Sequence, residues 1–341
     1  MSDALTGRLA AYLSGKLVPG KVEAGNLVRI SGGASRETYR FRARYSENGT
    51  QRERALILRR DPPASLIETE RAVEYRAIHA FHGLGLPVPE PVVLELSPEP
   101  LERPFFIMQE VESCTAGAIL SPDPYGEFRE KIGRQFFENL GRIASADPVA
   151  LGLSDFDGAK ARQDCASHEV ARWEKVIETD EAEPQPIARA AIRWLKRHLP
   201  RPAQKISVVH GDYRTGNFLF DANGDMRAIL DWEMAHLGDP LEDLAWAMDP
   251  LWSNGDRARP GGMIPRDQAI AIWEETSGLK ADKDALAWWE IFASLKGAAI
   301  WISAAREYAD GRNIDPINAF SGWYTLAFHN QLLAERLAAR I

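Results

Sequence analysis

Val208-Val209-His210-Gly211-Asp212-Tyr213-Arg214-Thr215-Gly216-Asn217 is the stretch on which the reading of this chain turns. Its first residues are apolar and β-branched, which suits a short buried strand. Gly211 breaks that strand, so Asp212 projects from a tight loop. Asn217 follows five residues after Asp212, and Phe218-Leu219-Phe220 then resumes an apolar strand. Fourteen residues beyond Asn217, Ile229-Leu230-Asp231-Trp232-Glu233 ends the next strand with two carboxylates. A carboxylate, an amide and another carboxylate at the ends of paired strands make a hard-oxygen donor set. Mg²⁺ takes such ligands and fills its remaining positions with waters and phosphate oxygens. Asp212 is then left to orient a hydroxyl and take its proton.

Upstream of this centre the first hundred residues read mostly as strands. Leu27–Ile30 leads into Ser31-Gly32-Gly33-Ala34-Ser35, and Thr38–Ala43 alternates with the period of a half-buried strand. Ser46-Glu47-Asn48-Gly49 is a turn signal. Ala55-Leu56-Ile57-Leu58 is a second apolar strand, followed by Arg59-Arg60 and broken by Asp61-Pro62-Pro63. A helix is predicted from about Ile67 to His82, with Val73, Ala77 and Phe81 on one face. Val92–Leu96 and Phe105–Met108 are further strands. At the start of the chain, Leu5, Leu9 and Leu13 recur every four residues behind Ser2 and Asp3, which suggests a short amphipathic helix.

After Val111 the pattern becomes helical. Phe128, Ile132, Phe136, Leu140 and Ile143 form one apolar stripe, Arg172–Ile177 continues it, and Ile187, Ala191, Trp194 and Leu195 mark another helix. The acidic run from Glu178 to Glu183 reads as a solvated loop. Ile206–Val209 and Ala228–Leu230 are short strands. Trp288–Ile302 is apolar nearly all round, as expected of a helix buried in the middle of a lobe. The chain is therefore expected to be α+β, a strand-rich part followed by a larger helical part, with the junction near Gln109–Ser113.

The order of a loop Asp, an Asn five residues on and a metal-binding Asp after the next hairpin is that of kinases. Here His-Gly-Asp stands for His-Arg-Asp and Asp-Trp-Glu for Asp-Phe-Gly. On these motifs the chain resembles the aminoglycoside-phosphotransferase and choline-kinase superfamily. More narrowly, it resembles the branch found as the kinase domain of acyl-CoA dehydrogenase fusion proteins, in which Leu237-Gly238-Asp239-Pro240-Leu241-Glu242-Asp243-Leu244-Ala245 also matches. The resemblance runs from about residue 25 to 330. It implies a bilobal protein-kinase-like fold. Residues 1–110 would be a nucleotide-binding lobe with a small antiparallel sheet, and 111–341 a mostly helical lobe carrying the catalytic and metal loops. ATP and Mg²⁺ are the cofactors it implies, with Asp212 as base, Asn217 and Asp231 as metal ligands, and Glu233 a candidate for a second ion.

The nucleotide side is read in the same way. Ser31–Tyr39 resembles the family's Gly-Gln-Ser-Asn-x-Thr-Tyr loop, departing from it at Ala34 and Arg36. Gly32, Gly33 and Ser35 would bring backbone N–H groups over the phosphates, although a Gly-Gly turn between strands also serves as a plain turn. The branch carries Arg where protein kinases place a phosphate-binding Lys, which points to Arg59, with Arg60 as the neighbour on the opposite face. Glu74 is its expected partner and Glu70 the competitor one turn earlier. Phe106–Val111 resembles the hinge strand, where adenine pairs with main-chain groups around Glu110 and Val111. There is no G-x-G-x-x-G before a helix and no G-K-[ST], so dinucleotide and P-loop readings fail.

The expected activity is phosphoryl transfer from ATP to a hydroxyl of a small molecule. The branch points to a hydroxyacyl thioester such as a 4-hydroxyacyl-CoA. An aminoglycoside acceptor is the alternative, with Asp239, Glu242 and Asp243 either binding a cationic substrate or serving a structural role such as helix capping. A catalytically inactive nucleotide-binding pseudokinase is the other. A protein kinase is disfavoured, because Ala-Pro-Glu is missing and Asp231–Pro240 is too short for an activation loop. The 341 residues carry 49 acidic against 41 basic side chains, a net charge of −8, which gives no long-range attraction to nucleic acid or anionic membranes. The two cysteines, Cys114 and Cys165, form no framework or metal knuckle, and reduced thiols in a cytoplasmic setting are expected. Met1–Leu17 is too polar for a secretory signal, and no apolar run is read as long enough to span a bilayer.

Overall fold

The computed structural model describes residues 2–30, 37–61, 71–118, 121 and 123–340. The fold is α+β, and the chain divides into two compact units. The first comprises Met1–Thr115, Leu219–Ala222 and Arg227–Glu233; the second comprises Ala116–Phe218, Asn223–Met226 and Met234–Ile341.

The first unit opens with helix α1 (Ser2–Leu13), then β1 (Val22–Ile30), β2 (Glu37–Glu47), β3 (Thr50–Arg60), α2 (Arg71–Gly83), β4 (Pro91–Glu95), β5 (Phe105–Gln109) and β6 (Cys114–Ala116). Strands β1 to β5 form one sheet in the order β1-β2-β3-β5-β4, antiparallel at every pairing. The β2–β3 hairpin turns on Asn48-Gly49, both at positive φ (51° and 78°), the turn geometry that matches the twist of the strands. These strands run longer than the apolar pattern predicts. Charged residues extend them, and Arg44 and Glu53 face each other across the hairpin as an ion pair.

Strand β3 is buried through its last five residues because both of its faces are covered. Leu56 and Leu58 join Leu9, Leu13, Phe41, Phe105 and Ile107 in a core beneath α1. The alternation of the strand sends Arg59 to the other face, where Glu74 of α2 meets it and Tyr75 packs edge-on against Phe106. Trp232 is fully buried against Phe81, ring centroids 4.6 Å apart, and so anchors the residues around Asp231. The expected helix from Ile67 is described from Arg71 onward; residues 62–70, Glu70 among them, lie outside the described residues.

From there the chain continues through α3 (Arg129–Ser145), α4 (Cys165–Asp180), α5 (Pro186–Arg197), β7 (Ser207–Val209), β8 (Phe218–Asp221), β9 (Met226–Ile229), β10 (His236–Gly238), α6 (Leu241–Ala247), α7 (Arg266–Ser277), α8 (Lys283–Ala309), α9 (Pro316–Phe320) and α10 (Leu326–Ala338). Strands β8 and β9, most of whose residues belong to the first unit, form a three-stranded sheet with β6 in the order β6-β8-β9. In the second unit β7 pairs antiparallel with β10, Val209 opposite His236. Helix α8 is its axis, buried on most sides, with α4, α5, α6, α9 and α10 packed around it. By length and composition α8 is apolar enough to cross a membrane, contrary to the sequence reading, but most of that stretch is buried inside the unit. The acidic run is corrected too. Glu178 to Asp180 form the last turn of α4, and only from Glu181 does the chain leave the helix.

Candidate active site

In the second unit, β7 leads directly into the loop carrying Asp212. Gly211 sits at φ +84°, and a Cβ there would lie 2.5 Å from the Met234 carbonyl oxygen, so the position requires glycine. The backbone of this loop is held by side chains. Asp243 of α6 accepts from the N–H of His210 (2.6 Å) and of Gly211 (2.9 Å), and His210 Nδ1 accepts from the N–H of Asp212 (3.1 Å). Tyr213 donates to the Phe136 carbonyl and Tyr125 to Thr215 Oγ1, which ties the loop down on the side of α3.

Asp212 is itself enclosed by donors. Its Oδ1 accepts from Arg214 Nε and Trp246 Nε1, both at 2.9 Å, and its Oδ2 accepts from Asn217 Nδ2 at 2.6 Å. Asn217 Nδ2 also reaches the Asp212 carbonyl at 2.9 Å. The Asn217 amide nitrogen is thus committed to Asp212, and Oδ1 is the atom it has to offer a cation. Arg214 lies over the Trp252 ring at 4.7 Å.

Asp239, Glu242 and Asp243 are buried and committed within the unit. Asp239 accepts from the Leu241 N–H and from Trp289 Nε1. Glu242 pairs with Lys296 and His236. Burial pushes Asp239 and Asp243 up to about 6, with the Glu242 charge adding to the rise for Asp243. Asp243 does not cap a helix; it holds the Asp212 loop from behind.

In the first unit, Arg59 is 7% exposed and its Nη1 donates to Glu74 Oε1 and, at 2.9 Å, to Asp231 Oδ1. Burial alone would discourage the guanidinium charge, but Glu74, Asp231 and Glu233 outweigh it and push its pKa up. Asp231 has φ +60°, a backbone conformation that L-residues adopt sparingly, and its side chain is 42% exposed. Arg60, on the opposite face, is held by Glu37 (2.7 Å) and the Leu101 carbonyl (3.1 Å). Of the two neighbours, Arg59 is therefore the one brought to Asp231 and Glu74. The Glu110 N–H donates to the Ala55 carbonyl at 2.9 Å, and Val111 follows it just past β5. Gly32, Gly33 and Ser35 lie outside the described residues.

Sequence reasoning missed Trp246, Arg214 and Lys296, and missed the role of Asp243. The two buried N–H groups of His210 and Gly211 are the one signal it held for Asp243, since such groups need acceptors. Periodicity carries no signal for Trp246, a core-facing residue in a helix that is buried all round.

Comparison with known proteins supplies the lineage. The model of the phosphotransferase enzyme family matches residues 26–279. Acyl-CoA dehydrogenase family member 10 of Mus musculus is 32% identical over 247 residues, which is 70% of this chain and 22% of that protein. Acyl-CoA dehydrogenase family member 11 of Homo sapiens is 25% identical over 283 residues, 79% of this chain and 35% of that protein. The chain thus spans between about a fifth and a third of the length of these relatives. Among solved structures, a Ralstonia eutropha JMP134 protein described as an aminoglycoside phosphotransferase superposes with a TM-score of 0.77 at 21% identity, covering 98% of both chains. A choline kinase of Streptococcus pneumoniae superposes with a TM-score of 0.62 at 14% identity, covering 99% of both. These structures share the protein-kinase-like fold expected from the sequence, and the match over residues 26–279 shows that the chain belongs to the phosphotransferase enzyme family.

Proposed function

We propose that this chain transfers the γ-phosphoryl group of ATP to a hydroxyl of a small molecule. The observation that carries the reading is the meeting of Arg59, Glu74 and Asp231. The sequence named Arg59 as phosphate clamp with Glu74 as its partner, and Asp231 independently as metal ligand; the three meet in one ionic cluster, buried at Arg59 and Glu74 and part-exposed at Asp231. Solved neighbours include an aminoglycoside phosphotransferase complexed with AMP-PNP and hygromycin B, which supports a nucleotide and a small-molecule acceptor here.

In this reading Asp212 takes the proton of the acceptor hydroxyl as its oxygen bonds to the γ-phosphorus and the bond to the departing ADP oxygen breaks. Arg214 and Trp246 hold Oδ1 and so set the direction of the carboxylate. Asn217 and Asp231 suit Mg²⁺: one offers an amide oxygen whose nitrogen is tied down, the other a part-exposed carboxylate, and both are hard-oxygen donors. The ion would neutralise charge on the phosphate oxygens, and Glu233 is the candidate for a second one. Arg59, braced by Glu74, grips the α- and β-phosphates. Since the Glu110 N–H is engaged by Ala55, the Glu110 carbonyl and the Val111 N–H are the main-chain groups for adenine.

For the acceptor, a hydroxyacyl thioester is favoured over an aminoglycoside. The relatives are named as acyl-CoA dehydrogenase family members. The carboxylates considered for a cationic antibiotic are buried and bonded within the fold. The test is an ADP-release screen of the purified protein with MgATP against 4-hydroxyacyl-CoAs, aminoglycosides and simple alcohols. Phosphorylated hydroxyacyl-CoA is the expected product. Turnover of aminoglycosides alone would overturn the acceptor assignment, and failure to turn over ATP with any acceptor would favour the pseudokinase.

A further inference from the structure

Lys296 stands in the middle of α8 and is 1% exposed, a costly place for an ammonium group. Its Nζ donates to the Gly211 carbonyl at 2.6 Å and to Glu242 Oε1 at 2.9 Å. Glu242 Oε2 meets His236 Nε2 at 3.1 Å, and the same nitrogen lies 3.7 Å from Glu169 Oε1. His236 Nδ1 faces the Met234 carbonyl at 2.9 Å. With a carbonyl at one ring nitrogen and carboxylates at the other, both nitrogens of His236 carry a proton. Burial opposes that charge, but Glu169 and Glu242 outweigh it and raise the pKa to about 9. At its outer end Glu169 meets His168 and Arg172. The interior charges alternate from Glu169 through His236 and Glu242 to Lys296, and the series ends on the carbonyl of the loop that carries Asp212. Glu169, His236 and Glu242 converge closely enough to hold a metal ion. However, Lys296 and the imidazolium already balance both carboxylates, so the cluster calls for no cation.

Two routes connect Lys296 to Asp212. The Gly211 residue is gripped at both ends, its N–H by Asp243 and its carbonyl by Lys296. Lys296 Nζ also lies over the Trp246 ring, 5.4 Å from its centroid, and the N–H of that indole donates to Asp212 Oδ1. We propose that Lys296 is a positioning residue, which fixes the Gly211 carbonyl and braces Trp246 so that Asp212 is held in its working orientation. The proposal rests on Asp212 being the base.

The test uses MgATP with water as acceptor, a reaction available before the natural acceptor is identified. Lys296→Met alone leaves Glu242 uncompensated and is open to misfolding. The informative variant is Lys296→Met/Glu242→Gln, which removes one charge of each sign. It is expected to fold, to bind MgADP within about twofold of wild type, and to lose about 10- to 100-fold in kcat, the scale of a small misplacement of a catalytic group. Lys296→Arg, which keeps a cationic donor, should recover part of that loss. A folded double variant with kcat within about twofold of wild type would overturn the proposal. So would a double variant that cannot fold, since the cluster would then be a scaffold requirement. Asp212→Asn run alongside separates the two claims. If it turns over at the wild-type rate, the base assignment falls and takes this proposal with it. If it is inactive while the double variant is unimpaired, only the role of Lys296 is lost.

Discussion

Asp212→Asn is the sharpest perturbation of the site, because the structure specifies what the new amide meets. Oδ1 of Asp212 faces two donors, Arg214 Nε and Trp246 Nε1, and Oδ2 faces one, Asn217 Nδ2. The asparagine therefore keeps its oxygen toward Arg214 and Trp246 and turns its NH₂ toward Asn217, so two donors oppose each other. Losing one charge-assisted hydrogen bond costs about 1.5–3 kcal/mol of stability. The larger effect is on chemistry. Removing a general base slows turnover by about 10²- to 10⁴-fold, which is about 3–5 kcal/mol of barrier. ADP release from MgATP measures the rate, calorimetric titration with MgADP measures binding, and urea unfolding measures stability. The expected result is a large fall in kcat, a modest fall in stability, and nucleotide affinity largely retained. Turnover within about twofold of wild type would refute the assignment of Asp212 as base. A collapse of nucleotide binding would show instead that the loop, and not proton transfer, carries the effect.

Asp231→Ala should abolish activity, and Asn217→Ala should raise the Mg²⁺ concentration needed for half-maximal turnover; a crystal grown with MgATP showing the ion held elsewhere would contradict both. Arg59→Ala removes a guanidinium that pairs with the fully buried Glu74, so it should lower stability and weaken binding of a fluorescent ATP analogue. Arg60→Ala, on the other face of β3, should leave that binding unchanged, and the reverse ranking would move the clamp to Arg60. His236 gives a pH signature of stability. Its ordinary pKa of 6.5 is raised to about 9 in the fold, so its contribution is complete below about pH 6.5 and is lost as pH rises through 9. That rise corresponds to about 3 kcal/mol. Urea midpoints for wild type should fall between pH 7 and 10, and His236→Gln should flatten the profile; an equal fall in both proteins would rule His236 out as the source.

The residues of the site that lie in short, strongly patterned stretches were legible from the sequence. Asp212, Asn217 and Asp231 sit at turns between apolar strands, and local chemistry is enough to make such turns stand out. The α+β class, the first strands and the buried helix around Trp288–Ile302 follow from periodicity, which is a local property of the chain. Strand ends were less legible. The charged termini of β2 and β3 are strand only because the hairpin pairs them across its width, as Arg44 and Glu53 show. The end of α4 was misread because an acidic run resembles loop, although the helix persists to Asp180.

What the sequence determined by itself is the choice and order of the candidate groups, since a motif is a matter of spacing along one chain. What only the tertiary structure decided is who holds them. Alternation put Arg59 and Arg60 on opposite faces of a strand, but α2 had to pack on one face before Glu74 could select Arg59. Asp243, Trp246 and Lys296 reach the Asp212 loop from 31, 34 and 84 residues away along the chain. Nothing in their local sequence distinguishes them from core or capping residues. Their roles arise because a buried carbonyl, two buried N–H groups and a carboxylate must each find a partner, and only the packing of α6 and α8 behind β7 determines which side chains are within reach.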